Sequence, residues 1–434
     1  MSAPLIMLIG DGDLADEVRR ALEALDAEVV RLIQPTQREV EAVFERSDVD
    51  RAVVVSREDA FALRMALMVR HVCADVGLLV TMFDETTGAQ LTSRIERCTV
   101  TSMADIVAPT LAGPCLDESL AAVRVEGDTP VGVRTVDGES VQEEPVDIPT
   151  RRPARGFVRD LLTPYDKSAA LMFFGALGLG IVLLVETVGA MIVLHQSAVD
   201  AFYGATKTLV TVDPNDKVTG GPSWFKVFIG FTMLCALVFE AFFTAGLVNR
   251  LIDRRLTGLV GRRAVPRRDH VVVVGMGQVG LRLCLLLRRC GIGVVAVDDR
   301  DDGENVGKAR EEGLPVVIGR GADPSLLRRL SLENACALAA VTSDDLENVS
   351  IAMAALAVHP DLRVVLRVGD GRLANETRSL FRFGLVRDVH RIAAALIAAQ
   401  ATGSSATRVI CVEDEAHLLH DDGRAEKAAI AAAA

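Results

Sequence analysis

Two long apolar stretches, set close together in an otherwise polar chain, limit what this sequence can fold into more than any other feature. Ala169–Leu194 (AALMFFGALGLGIVLLVETVGAMIVL) is 26 residues long with one ionisable side chain, Glu186. The stretch from about Trp224 to Ile252 is as apolar around a single acid, Glu240. A helix needs about 20 such residues to cross the hydrocarbon core, and a soluble core helix of this length would show a polar face. Both stretches are therefore expected to span a membrane. A charged fraction of 24% over 434 residues leaves room for two or three domains, soluble ones flanking the membrane part. The net charge of −12, with no long basic face, argues against a nucleic-acid partner. Eight scattered cysteines, with no CxxC and no Cys/His cluster, suggest neither a metal site nor a disulfide framework, but a reducing compartment. Leu5–Ile9 is too short for the core of a signal peptide.

The chain opens on a strand-like run, Pro4–Ile9, then Gly10-Asp11-Gly12-Asp13-Leu14-Ala15 and a helix-period segment through Leu25. Strands at Glu28–Ile33 and Arg51–Val55 follow, with helical stretches between. That alternation implies a parallel sheet covered on both faces. A GxGxxA turn can admit a pyrophosphate to a helix N-terminus. Here Asp11 and Asp13 would repel phosphate, and Arg31-Leu32-Ile33 ends the second strand with no acid for a ribose. Residues 1–115 are expected to be a degenerate Rossmann-like domain that binds no nucleotide. From 116 to 155 the composition shifts to Val, Gly, Thr, Pro and acids, which reads as an extended linker. Arg151, Arg152, Arg155 and Arg159 crowd the approach to the first span; Arg250, Arg254, Arg255, Arg262 and Arg263 crowd the exit of the second. Basic flanks mark the cytoplasmic side. The expectation is a multi-pass protein of a bacterial plasma membrane with both termini in the cytoplasm.

Between the spans, Ser197-Ala198-Val199-Asp200 has capping-box-like spacing and opens a helical stretch through about Val210. Thr211-Val212-Asp213-Pro214-Asn215-Asp216 follows as an extended run. A short helix and then irregular backbone at membrane depth is tolerated where it lines a water-filled path, and the helix C-terminus favours a cation there. On Thr208, Thr211, Val212 and Asp216, set as T-x-x-T-V-x-x-x-D, residues 156–258 resemble the two-transmembrane pore unit of potassium channels: outer helix, re-entrant pore helix, filter, inner helix. That family's filter reads T-V-G-Y-G or T-V-G-F-G. Its glycines let successive carbonyls turn to the ion; Asp213 and Pro214 cannot copy that geometry, since Pro fixes φ and lacks an N–H. The resemblance then implies, in a fourfold assembly, a carboxylate ring from Asp213 and Asp216, with Thr211, Val212 and Asn215 completing the ion pathway; a solvated outer loop is the alternative for the acids. Glu240 is placed on the conduction path or as a packing residue, and Glu186 as a packing residue against the pore helix. Gly246 is a gating hinge or a close-packing glycine. The plant nuclear channels CASTOR and POLLUX are similar in architecture.

The strongest motif is His270-Val271-Val272-Val273-Val274-Gly275-Met276-Gly277-Gln278-Val279-Gly280. It closes a strand, opens a helix, and is followed by a second strand ending on Asp298 and Asp299. This is the full context of the dinucleotide fingerprint: Gly275 for the tight turn, Gly277 for pyrophosphate, Gly280 for packing, Asp298 for the ribose hydroxyls. With Gly319, Arg320, Thr342 and Asn348, residues 266–400 resemble the RCK (TrkA-N) domains that regulate potassium channels and Trk-type uptake systems. The family's third-strand motif is usually G-D-A; Arg320 replaces the acid, which suits a phosphate-rich ligand or is a solvated charge. The soluble domains also repeat: Ala52–Ser56 recurs 286 positions later at Leu338–Thr342, Gly77–Asp84 at Arg363–Asp370 and Ile106 at Ile392. Ile33 and Ala62 stand where Asp298 and Asn348 would be.

The sequence thus reads as α/β Rossmann-like RCK domains flanking a two-helix pore unit, with a 401–434 tail holding one strand and an Ala-rich helical run. The expected function is a homotetrameric cation channel in membrane lipid. An adenine nucleotide or dinucleotide (NAD(H), ATP/ADP or AMP-type) would gate it from the cytoplasm. No catalytic constellation is visible. The alternatives are a non-conducting nucleotide sensor and a membrane-anchored nicotinamide-dependent oxidoreductase, which would need a substrate domain.

Overall fold

The computed structural model describes residues 3–136, 140–146, 167–210, 216–252, 266, 268–371, 373, 374, 376, 384–412 and 415–428. The chain divides into two units, Met1–Arg151 with Val265–Ala434, and Arg152–Ala264.

The first copy of the soluble repeat runs β1 (Leu5–Gly10), α1 (Gly12–Ala24), β2 (Glu28–Leu32), α2 (Gln37–Arg46), β3 (Arg51–Val55), α3 (Asp59–Val72), β4 (Gly77–Thr81), α4 (Glu85–Arg94), β5 (Cys98–Thr101) and α5 (Met103–Leu116). Its strands form a parallel sheet in the order β2-β1-β3-β4-β5. Val53, Val54 and Val55 are buried on both faces of that sheet, so the strand shows no alternation.

The stretch expected to be an extended linker is a folded meander instead: β6 (Ala122–Glu126), β7 (Thr129–Val136) and β8 (Ser140–Pro145), all antiparallel. Ala121, Ala122 and Val133 bury an apolar face, and Arg124 pairs with Glu143 across the strands. A composition poor in large apolar residues hid this face, whose alternation lasts only a few residues.

In the second unit, α6 (Lys167–Val193), α7 (Ala198–Leu209) and α8 (Ser223–Ile252) surround a 3-10 turn at Asp216–Gly220. Leu171–Val193 and Ser223–Val248 are long and apolar enough to cross a membrane, with mean hydropathies of 2.3 and 2.1. α6 and α8 approach to backbone contact at glycines. A Cβ on Gly175 would lie 2.5 Å from the Phe243 nitrogen, and one on Gly178 would strike the Phe239 ring. Glu186, 2% exposed, accepts a 2.6 Å hydrogen bond from Thr232 of α8, with Thr208 of α7 a further hydrogen-bonding neighbour. It is a packing residue that ties the three helices together.

The second copy runs β9 (His270–Val274), α9 (Gln278–Arg289), β10 (Gly293–Asp298), α10 (Glu304–Glu311), β11 (Val316–Ile318), α11 (Pro324–Arg329), β12 (Ala335–Ala340), α12 (Asp345–Val358), β13 (Arg363–Val368), β14 (Leu385–Asp388) and α13 (Val389–Ala401). The parallel order is β11-β10-β9-β12-β13-β14. The tail, expected to hold one strand at Arg408–Val412, forms three, β15 (Ala406–Val412), β16 (Glu415–His420) and β17 (Ala425–Lys427), and the Ala-rich run from 429 on lies outside the described residues. Ile410 and Leu419 pack on Ala121, Ala122 and Val133, and Arg408 reaches Glu143 at 2.7 Å. The linker and the tail are thus counterparts, each a three-stranded meander after the last helix of its copy.

The copies interlock. α5 lies on α9 and on β12 and β13 of the second copy, while α13 lies on α1 of the first. One apolar core therefore joins Leu8, Val53 and Leu79 of the first sheet to Val271, Ala339 and Val365 of the second, through Leu111 of α5 and Ile397 of α13. The ends of both crossing helices are held by an arginine of the opposite copy. Arg363 donates to the Cys115 carbonyl at 3.1 Å, and Arg51 donates to the Gln400 carbonyl. A cation at a helix C-terminus is the favourable arrangement.

Replacing Gly175 with Leu should destabilise the α6–α8 contact by about 1–3 kcal/mol. Gly180→Ala, whose Cβ meets nothing within 4 Å, should leave the melting temperature of the detergent-solubilised protein unchanged.

Candidate nucleotide site and ion path

β9 delivers the glycine turn to the N-terminus of α9, and each glycine there answers a different steric demand. Gly275 has φ +102°, and a Cβ on it would lie 2.6 Å from the Thr342 nitrogen. A Cβ on Gly280 would collide with the Gly275 carbonyl oxygen. Gly277 is exposed, and a Cβ there would meet nothing within 4 Å. It is the N-cap of α9 and supplies no side-chain cap, so the first N–H groups and the positive end of the helix dipole face an open space. This is the arrangement that receives an anion.

Asp298 ends β10 beside this turn. Its carboxylate accepts from the Met276 N–H at 2.7 Å and from the Arg300 N–H at 2.9 Å. Each oxygen retains a second acceptor position for a hydroxyl. The Gly319 N–H donates to the Asp298 carbonyl at 2.8 Å, which sets the third strand against the second. Asp299 and Arg320 are exposed, and Val279 is buried beneath the turn.

Asn348 is fully buried rather than open to the groove. Its Oδ1 accepts from the Thr342 N–H at 2.9 Å, and its Nδ2 donates to the carbonyls of Thr342 and Arg367. It positions Thr342 against Gly275. Arg367 donates to the Thr342 carbonyl at 2.9 Å from the other side. Burial and the nearby Arg57 charge bring its guanidinium down to about 10.

The first copy also contributes, which the motif alone does not disclose. Gln278 donates to the Arg57 carbonyl at 3.2 Å, and the Arg57 guanidinium meets His390 Nε2 at 2.8 Å. His390 Nδ1 lies 3.0 Å from the Gly369 carbonyl, so Nδ1 carries the proton and Nε2 accepts. A Cβ on Gly369 would come within 2.6 Å of that ring. Burial, with Arg367 and Arg57 adding to it, pushes His390 down to about 4; burial does the same to His270.

In the first copy the equivalent turn is open at Gly12 but carries the exposed acids Asp11 and Asp13. Ile9 pairs with Leu32 as Val274 pairs with Val297, so Gly10 matches Gly275 and Ile33 matches Asp298. Arg31 donates to the Gly10 carbonyl at 3.3 Å and pairs with Asp16.

The filter candidates Thr211, Val212, Asp213 and Asn215 lie outside the described residues, as does the side chain of Asp216. The same holds for the basic flanks at Arg151–Arg159 and Arg254–Arg263. Glu240 is exposed on α8, and Gly246 is buried.

Residues 271–381 match the TrkA-N domain family. The chain is 22% identical over 224 residues to the voltage-gated potassium channel Kch of Escherichia coli strain K12, covering 49% of this chain and 54% of that one. It is 22% identical over 197 residues to potassium channel protein 1 of Methanocaldococcus jannaschii, covering 43% and 57%. The chain thus spans little more than half the length of these curated relatives. The crystal structure of the GsuK RCK domain aligns over 92% of this chain and 76% of that one, with a TM-score of 0.50 and 12% identity, a likeness of fold.

Because both histidines titrate below their ordinary value, their neutral forms stabilise the fold above about pH 6.5, and this is lost as pH falls toward 4. The loss should reach about 3 kcal/mol for each histidine below that range. His390→Gln should remove one proton from the pH dependence of the melting temperature between those limits.

Proposed function

We propose that this chain, whose residues 271–381 match the TrkA-N domain family and which is similar to potassium channel proteins, is the subunit of a nucleotide-gated cation channel. The observation that carries this reading is the open α9 N-terminus at Gly277 in the same chain as two membrane-length apolar helices. Phosphates of an adenine nucleotide or dinucleotide would sit at that N-terminus, and ribose hydroxyls would use the free acceptor positions of Asp298. Arg320 would favour the more phosphate-rich ligands.

Two spans cannot enclose a path by themselves, so the pore is a homotetramer in the plasma membrane, with both termini cytoplasmic. Thr211, Val212, Asp213, Asn215, Asp216 and Glu240 would line the path, with Gly246 as the hinge. Carboxylates at this level favour cations without the potassium-selective carbonyl geometry. A nucleotide gates such a pore only through different affinities for its open and closed forms.

Purified protein in liposomes should pass potassium, sodium or calcium in a nucleotide-dependent way, and Asp213→Asn should change the ion preference. Gly277→Val should abolish nucleotide dependence with the fold intact, whereas Gly280→Val should destabilise the second copy. Nucleotide binding without flux of any cation would replace the channel by a non-conducting sensor.

A further inference from the structure

The copies meet through two equivalent helix contacts whose charges are reversed. Where α9 lies on α5, Arg282 pairs with Asp105 at 2.8 Å and Glu85 at 2.5 Å. It also donates to the Phe83 carbonyl at 3.0 Å and lies 4.8 Å from the centre of the Phe83 ring. Where α1 lies on α13, the counterpart of Arg282, 265 positions earlier, is Glu17, and the counterpart of Asp105, 286 positions later, is Arg391. Glu17 is buried, pairs with Arg20 at 2.8 Å and feels the charge of Arg391 from α13.

At these two paired positions the first copy therefore carries an acid and the second an arginine, with Asp370 of the second copy also acting on Glu17. A first copy meeting another first copy would set Glu17 against Asp105 and Glu85. A second copy meeting another second copy would set Arg282 against Arg391. Asp84 and Asp370 are counterparts of the same charge and do not discriminate. We propose that this reversal is a pairing code that commits the first copy to a second copy and excludes a like copy from a neighbouring chain.

The test uses the full chain in detergent, with a benzophenone side chain replacing Asp13, which lies close enough to His390 of α13 to act on its charge. The parent should give adducts with α13. Glu17→Arg opposes Arg391 within the chain but complements Asp105 of a second chain, so adducts with α5 of another chain should rise about tenfold. Asp105→Arg should act in the same way through Arg282. The paired variants Glu17→Arg/Arg391→Asp and Asp105→Arg/Arg282→Asp should restore the α13 adduct, and Glu17→Gln should produce no α5 adduct. The proposal is overturned if both single reversals retain the α13 adduct alone. If a single reversal gives neither adduct, recovery of the α13 adduct in its paired variant supports the code, and no recovery overturns it.

Discussion

Each sheet of the soluble unit takes one of the helices on its inner face from the other copy. α5 leaves the first sheet to lie on the second, and α13 returns the exchange. Burial of apolar surface is the main favourable contribution to folding, and here most of that surface lies in a core neither copy completes alone. Arg51 and Arg363 fasten the helix ends, and the two meanders close over them.

This interlock places the glycine turn of the second copy beside the first copy. Gln278 rests on the Arg57 carbonyl, and Arg57 rests on His390 at the start of α13. An anion at Gly277 would therefore bind next to a contact between copies, within reach of the charges that hold them. The first copy's turn is equally open at Gly12, where a Cβ would meet nothing within 4 Å, but it carries Asp11 and Asp13, and Ile33 stands in place of Asp298.

The glycine turn is legible in the sequence because each glycine answers a steric demand that its spacing encodes: close backbone approach at Gly275 and Gly280, open space at Gly277. The two helices long and apolar enough to cross a membrane are legible from length and hydropathy alone. The meanders are not, since β6–β8 bury only a few small residues and their partners lie far along the chain at Ile410 and Leu419. Asn348 is legible as part of the site, but its buried hydrogen bonds make it a support for Thr342. Arg57 carries no sequence signal, because no motif joins it to a turn 221 positions away at Gln278.

The most direct test of the account is the stoichiometry of adenine-nucleotide binding to the purified full-length chain by equilibrium dialysis. One nucleotide per chain, lost in Gly277→Val, is the predicted result. Two per chain, or binding that survives that substitution, would contradict it.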